Sequence, residues 1–279
     1  MGFESSLSPV RPCRPVAPYL GGKRNLAKRI VSAIEAVPHA IYAEPFVGMG
    51  GIFLRRDQAP KSEVINDLNR EVATFFRILQ RHYVAFMEMI RFSVTTRAEF
   101  ERLVATNPDT LTDLERAARF LYLQRTAFGG KVSGRNFGVS PMTPARFDVT
   151  KLSPMLEDLH TRLAGVVVEC LPYADFIRRY DRAETLFYLD PPYWGSEGDY
   201  GKLLFERADF ERLAGLLEGL QGRFILSLND VPEVREIFSA FHTEAVQTSY
   251  SISRKVDARG TVGEVLISGR GRVIKAASD

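Results

Sequence analysis

The sequence predicts an α/β fold in which a parallel sheet is interrupted by a mostly helical insertion. Three observations lead there. Short apolar runs recur along the chain and end in Gly, Pro, Asn or Asp, the texture of strands buried on both faces of a parallel sheet. A long central stretch carries helical period instead. The 279 residues, 45% hydrophobic and 25% charged, are ample for a buried core and unlike a disordered or fibrous chain.

In chain order, the strand candidates are Ala40–Glu44, Glu63–Ile65, Val166–Cys170, Leu186–Leu189, Phe224–Leu228 and Glu264–Ile267. Between the second and third, Phe75, Ile78, Leu79, Tyr83, Phe86, Met87 and Ile90 fall on one face of a helix. Two capping boxes follow, Thr96-x-x-Glu99 and Thr112-x-x-Glu115, in which Thr and Glu satisfy orphan backbone donors at a helix start. The second opens a helix with Leu114, Ala118, Leu121 and Tyr122 as its apolar stripe. The stretch GGKVSGRNFGVSPMTPARF then loses all period and reads as a long loop or an irregular hairpin. Ser249–Arg259 reads as a basic loop between the last strands. These boundaries give a discontinuous sheet domain, 1–67 plus 166–279, and a helical unit, 68–165, with a basic loop at about 129–148.

Composition excludes several classes. Cys13 and Cys170 lie far apart, and His39, His82, His160 and His242 are scattered, so neither a disulfide scaffold nor a metal-binding cluster is expected. No run is long enough to span a membrane, and the first sixteen residues lack the apolar core of a signal peptide, which points to a cytoplasmic protein. The net charge of +3 conceals two basic stretches. Arg11, Arg14, Lys23, Arg24, Lys28 and Arg29 occur without an acid among them, and Arg125, Lys131, Arg135, Arg146 and Lys151 occur with Asp148 alone. Each stretch suits a phosphate-binding footprint or an ordinary solvated face.

The sharpest chemical signal is Leu186–Tyr193, an apolar strand that delivers Asp190, Pro191, Pro192 and Tyr193 to the carboxyl edge of the sheet. The prolines lack N–H donors, so their carbonyls can face outward as acceptors beside the Asp190 carboxylate, with Tyr193 as a stacking plate. A planar base bearing an amino group needs such a set; a strand ending in a Pro-rich turn would also account for it. A second strand runs through Glu44, Pro45 and Phe46 into the turn Gly48–Gly51, where glycine lets backbone approach a ligand. The pattern is not the G-x-G-x-x-G fingerprint of dinucleotide-binding oxidoreductases. Asp67 ends the next strand, where ribose hydroxyls are held in nucleotide sites, although it would serve equally as a helix cap.

Taken in order, Tyr19-Leu-Gly-Gly22-Lys23, EPFVGMG at 44–50, IND at 65–67, Tyr173-Ala-Asp175-Phe176 and DPPY at 190–193 resemble the Dam-type, alpha-class adenine-specific DNA methyltransferases. The resemblance runs from about Tyr19 to Ile267. It implies a class I, Rossmann-like methyltransferase with a mixed, mostly parallel seven-stranded sheet, and the helical unit as target-recognition insertion. It further implies S-adenosyl-L-methionine as cofactor and methylation of the exocyclic N6 amine of a flipped adenine in double-stranded DNA, as in restriction–modification. No metal and no membrane partner are implied, and a monomer could work on the duplex.

On matching positions, Tyr19, Gly22, Lys23, Glu44 and Pro45 would contact the cofactor, Lys23 near its carboxylate, while Phe46 through Gly50, Gly48 included, would wrap its methionine part. Asp67 would hold the ribose hydroxyls, with Leu68 and Tyr173 flanking the cofactor adenine and Asp175 and Phe176 also at the cofactor. Asp190, also at the cofactor, would form the acceptor pocket with Pro191, Pro192 and Tyr193. Arg125, Lys131, Arg135, Asn136 and Arg146 would engage DNA, at phosphates or base edges. Three departures stand out: Tyr19 where the family often has tryptophan, Trp194 directly after DPPY, and a loop after Phe128 unlike the best-known target-reading hairpins, so a GATC target does not transfer. FILSLND at 224–230 matches a family strand and loop near the target base, and is equally a core strand with a turn. The competing readings are an RNA base-amine methyltransferase and a catalytically silent cofactor- and DNA-binding regulator.

Overall fold

The computed structural model describes residues 7–138, 142, 144–200, 204–248 and 262–269. The basic stretch Ser249–Arg259 and residues 139–141 and 143 of the central loop lie outside the described residues. The strands are β1 (Ser8–Pro9), β2 (Ile41–Glu44), β3 (Gln58–Ala59), β4 (Ser62–Asn66), β5 (Val167–Glu169), β6 (Thr185–Leu189), β7 (Arg223–Asn229), β8 (His242–Thr248) and β9 (Val262–Ser268). β1 and β3 form a small antiparallel pair, and the other seven build one sheet in the order β5-β4-β2-β6-β7-β9-β8. β5, β4, β2, β6 and β7 run parallel, while β9 lies antiparallel between β7 and β8. This is the expected mixed, mostly parallel seven-stranded sheet. β8 is absent from the sequence reading because HTEAVQT is polar, as an edge strand can be; Val246 is its buried anchor.

Alternation along each strand sends side chains to two layers. Tyr42, Ile65, Leu186, Tyr188, Ile225 and Leu266 face a core shared with α1 (Ala27–Glu35) and with the helices α2 (Arg70–Arg81), α3 (Tyr83–Ile90), α4 (Arg97–Ala105), α5 (Asp113–Thr126) and α6 (Val149–Arg162). Ala43, Val64, Phe187, Leu189, Phe224, Leu226 and Val265 face the opposite core, built with α7 (Tyr173–Tyr180), α8 (Asp209–Glu218) and α9 (Pro232–Ile237). The chain leaves β2 toward β4 and β5, then crosses back to β6 and β7, so β2 and β6 flank the switch point where open α/β sheets bind ligands.

The helix expected over Phe75–Ile90 is two helices, α2 and α3, broken at His82 (φ −129°, ψ 34°). Neither Pro nor Gly marks the break. His160 of α6 stacks on Tyr83 with ring centroids 4.7 Å apart, and its Nδ1 lies 2.8 Å from the Leu79 carbonyl oxygen, so a tertiary contact sets the boundary. Of the two capping boxes, Thr112/Glu115 is complete at the start of α5. At α4, Thr96 accepts from the Glu99 N–H, but the Glu99 carboxylate turns to Arg102 instead. The central loop closes as an irregular hairpin: Phe128 N–H donates to the Asn136 carbonyl at 2.8 Å and Gly138 N–H to that of Thr126 at 2.7 Å. Among the described residues, no helix is long and apolar enough to cross a membrane and no cluster of metal-ligating side chains occurs.

Candidate active site

The loops after β2, β4 and β6 meet around a cavity of about 690 Å³ at the carboxyl edge of the sheet. After β2 the chain turns at Gly48, where φ is +50° and an added Cβ would lie 3.0 Å from two Tyr19 ring carbons. The Gly48 N–H donates to Asp67 Oδ2 at 2.9 Å, and the Asn69 N–H to Asp67 Oδ1 at 2.8 Å. Burial pushes the Asp67 carboxyl up to about 6, with those two N–H bonds pulling the other way. The cap of α2 is Asn69, whose side chain accepts from Glu71 N–H, so Asp67 is left to face the cavity. Asn66, buried beside it, donates to the carbonyls of Pro45 (2.9 Å) and Leu171 (3.0 Å) and accepts from Leu171 N–H (2.8 Å), stapling three loops together.

Phe46, Tyr173 and Phe205 form an aromatic wall, with centroids 5.6 to 5.8 Å apart in each pair. Tyr19, Gly22, Lys23, Glu44, Pro45 and Leu68 complete this part of the lining. Glu44 is 1% exposed and accepts from the Tyr42 hydroxyl; burial pushes its carboxyl up to about 8. Three expected cofactor residues stand away from the cavity. Gly50 (φ +75°) shapes the turn from behind, against Leu54. Phe176 is fully buried in the core beneath α7, and Asp175, on the opposite face of that helix, pairs with Arg178 in solvent. Helical spacing sends Tyr173 to the cavity and its two neighbours elsewhere.

Asp190 and Pro192 bring β6 to the same cavity, with Pro191 buried behind them and Tyr193 half-buried alongside. Asp190 Oδ1 receives the Lys23 ammonium at 2.8 Å and the Ser227 hydroxyl at 3.0 Å; Ser227 in turn meets the Tyr188 hydroxyl at 3.0 Å. Burial raises the Asp190 pKa, while Lys23 and Ser227 draw it back. Lys23, expected at a cofactor carboxylate, is instead held among Asp190, the Tyr193 hydroxyl and Glu264. Trp194 is fixed by two bonds to Asn229, N–H to Oδ1 at 2.9 Å and Nδ2 to carbonyl at 3.1 Å. Its ring packs between Phe210 and the Arg207 guanidinium, not against the cavity. Ser227 and Asn229 lie in FILSLND, so that strand supports the acceptor motif; Glu264 carries no local signal at all.

The DNA-binding candidates divide. Lys131 and Asn136 are exposed. Arg125 instead donates to the carbonyls of Arg146 (3.0 and 2.7 Å) and Val16 (3.0 Å), and Arg146 to that of Ala127 (3.2 Å). Arg135 donates to the Lys131 carbonyl, and its side chain, 10% exposed, brings the guanidinium to 3.9 Å from Glu71. These arginines look like base readers in sequence because nothing local reveals the carbonyls they serve. Gln124 bridges the carbonyls of Pro18 (2.8 Å) and Gly130 (2.7 Å), bringing the two basic stretches together.

Comparison with known proteins gives the family. Residues 19–252 match the family described as D12 class N6 adenine-specific DNA methyltransferase. The chain is similar to the type II methyltransferase M1.LlaDCHI of Lactococcus lactis subsp. cremoris, 25% identical over 92% of this chain and 96% of that one. It is 24% identical to the DNA adenine methylase of Haemophilus influenzae over 94% and 96% of the two chains. With the type II methyltransferase M.CviBI of Paramecium bursaria Chlorella virus NC1A it shares 21% identity over 83% and 89%. A family match that spans most of the chain, over a sheet that gathers Tyr19, Asp67 and Asp190 at one cavity, places it: the chain belongs to the D12 class of N6 adenine-specific DNA methyltransferases.

Proposed function

We propose that this chain transfers a methyl group from S-adenosylmethionine to the N6 amine of an adenine flipped out of duplex DNA. The observation that carries the reading is the placement of Asp190 at the carboxyl end of β6, on the cavity that Asp67 also lines. The residues present fit the cofactor. The volume, about 690 Å³, suits a small-molecule site. Asp67 offers carboxylate lone pairs to a ribose, the Phe46–Tyr173–Phe205 wall offers flat apolar surface to a purine, and a side chain at position 48 would press on Tyr19. S-adenosylmethionine, when bound, supplies a methyl group on a positively charged sulfur.

The chain's own residues make the amine reactive. Its lone pair is delocalised into the ring, and inside a duplex it is also paired. Flipping costs a few kcal/mol of unstacking, and stacking on the Tyr193 ring offsets roughly 1–3 kcal/mol of that. Lys23 and Ser227 both bind Asp190 Oδ1, which orients the carboxylate and leaves Oδ2 for one amine hydrogen. The Pro191 carbonyl takes the other. Both bonds strengthen as positive charge builds on nitrogen, so they favour the transition state over the ground state. In this reading the helical unit 68–165 carries the target-reading surface, with Lys131 and Asn136 outermost and Arg125, Arg135 and Arg146 holding their loop from beneath.

Asp190→Ala is expected to abolish methyl incorporation while duplex binding stays within several-fold. Base-resolution mapping on unmethylated genomic DNA reads activity, base and target together. Near-normal turnover by that variant, or methylation of another base, would overturn the reading.

A further inference from the structure

We infer that Arg55, with Arg14 and Arg24 beside it, holds the methionine carboxylate of S-adenosylmethionine. The inference rests on the function proposed above and assigns one end of that cofactor's site. Lys23, the cation that the sequence places at this carboxylate, is committed elsewhere, among Asp190, the Tyr193 hydroxyl and Glu264. The negative end of the amino-acid tail therefore needs another partner.

The cavity carries one. Arg14, Arg24 and Arg55 all line it, the first two exposed and Arg55 half-buried. Among the described residues, the charged and titratable groups facing Arg55 are the other two guanidiniums and the Cys13 thiol. Burial pushes that thiol up to about 11, so it is neutral and brings no negative charge. Burial and then the two neighbouring cations pull the Arg55 pKa below the ordinary arginine value, as in a site short of negative charge. The contrast is with the next residue: Arg56 shares the Glu63 carboxylate with Arg162. Arg55 lies in the one-turn helix Phe53–Arg55 that follows the Gly48–Gly51 turn. Its Nη1 donates to the Gly51 carbonyl at 2.6 Å, which fixes the side chain and leaves the other N–H groups of the fork for an anion. Asp67, at the end of β4, and the Phe46–Tyr173–Phe205 wall suit the ribose and the purine. The glycine turn follows β2, the neighbouring strand, so a tail laid across the strand ends passes that turn toward Arg55. A guanidinium matches a carboxylate with two parallel N–H···O bonds. Arg14 and Arg24 add positive potential to the same lobe without each needing a contact of its own.

The test compares, by calorimetry, S-adenosylmethionine with its decarboxylated analogue, which keeps the sulfonium and the amine but lacks the carboxylate. The wild type is expected to bind the parent roughly 10- to 100-fold more tightly. Arg55→Met should weaken the parent by about that factor and leave the analogue within about twofold, so that the preference collapses. Arg55→Lys keeps the charge but not the fork and should recover only part of the preference. The exposed pair can be changed without disturbing the core: Arg14→Gln/Arg24→Gln should narrow the preference about threefold, most at low salt. This pair decides the matter if Arg55→Met loses both compounds together with its unfolding midpoint. A wild type without the preference, variants that keep it, or a folded Arg55→Met that loses both compounds equally would each overturn the inference. So would an unchanged preference with a shallower salt slope for duplex binding, which would assign the cluster to a DNA phosphate. A wild type that binds neither compound and methylates no adenine would instead overturn the proposed function.

Discussion

Glu44 is a carboxyl group whose ionisation works against the fold. Its pKa rises from 4.5 to about 8, chiefly through burial. Within the fold it stays protonated at neutral pH, whereas the unfolded chain releases that proton above about pH 4.5. The unfolded state therefore binds fewer protons, and stability must fall as pH climbs through this window before levelling off above about 8. The magnitude is on the order of a few kcal/mol. Glu44→Gln, which keeps an acceptor for the Tyr42 hydroxyl, is expected to flatten that decline in denaturant titrations; a decline as steep as the wild type's would show that the carboxyl ionises in place. Gly48 supports a second expectation. An alanine there needs a positive φ and meets the Tyr19 ring, so cofactor affinity should drop about tenfold or more by calorimetry, from a backbone cost of roughly 1–2 kcal/mol. Both residues were legible because a glycine turn and an acid at a strand end are local features. Asn66 and Glu264 were not: their partners are the carbonyls of Pro45 and Leu171 and the ammonium of Lys23, which only the fold brings near.

The same division holds for whole elements. Buried strands announce themselves by composition, so β2, β4, β5, β6, β7 and β9 fall within a residue or two of the apolar runs. β8, at the sheet edge, has no such run to read. Helix starts are legible when the cap is local. Thr112 bonds Glu115 N–H while Glu115 returns to Thr112 N–H, whereas at α4 Arg102 diverts the Glu99 carboxylate. Thr112→Ala is accordingly expected to cost about 1 kcal/mol and Thr96→Ala less, because the Thr112 hydroxyl both accepts from the Glu115 N–H and donates to the Glu115 carboxylate, whereas that of Thr96 makes the one capping bond. Urea unfolding midpoints compare them directly. The break at His82 escapes this logic, since His160 imposes it from another helix.

At the scale of the molecule, the charge of +3 gains meaning from where its parts end up. Lys23 is buried at Asp190, Arg29 pairs with Glu244, and Arg125 and Arg146 serve backbone carbonyls. Arg14, Arg24, Lys28 and Lys131 remain exposed, on two segments that Gln124 and Arg125 tie together. A basic residue in sequence thus has two fates, holding the proposed DNA-facing surface together or belonging to it, and salt separates them. Phosphate contacts release counterions, so each one adds roughly one unit to the slope of log affinity against log salt. Lys131→Ala is expected to lower that slope by about one while leaving the unfolding midpoint unchanged. Arg125→Ala should lower the midpoint, because it strands the carbonyls of Val16 and Arg146 and loosens the junction of both basic segments. Duplex affinity should weaken with it as the loop loses its fixed position. A Lys131 variant with an unaltered salt slope would remove the loop from the interface; an Arg125 variant that weakens binding without losing stability would make that arginine a DNA contact after all.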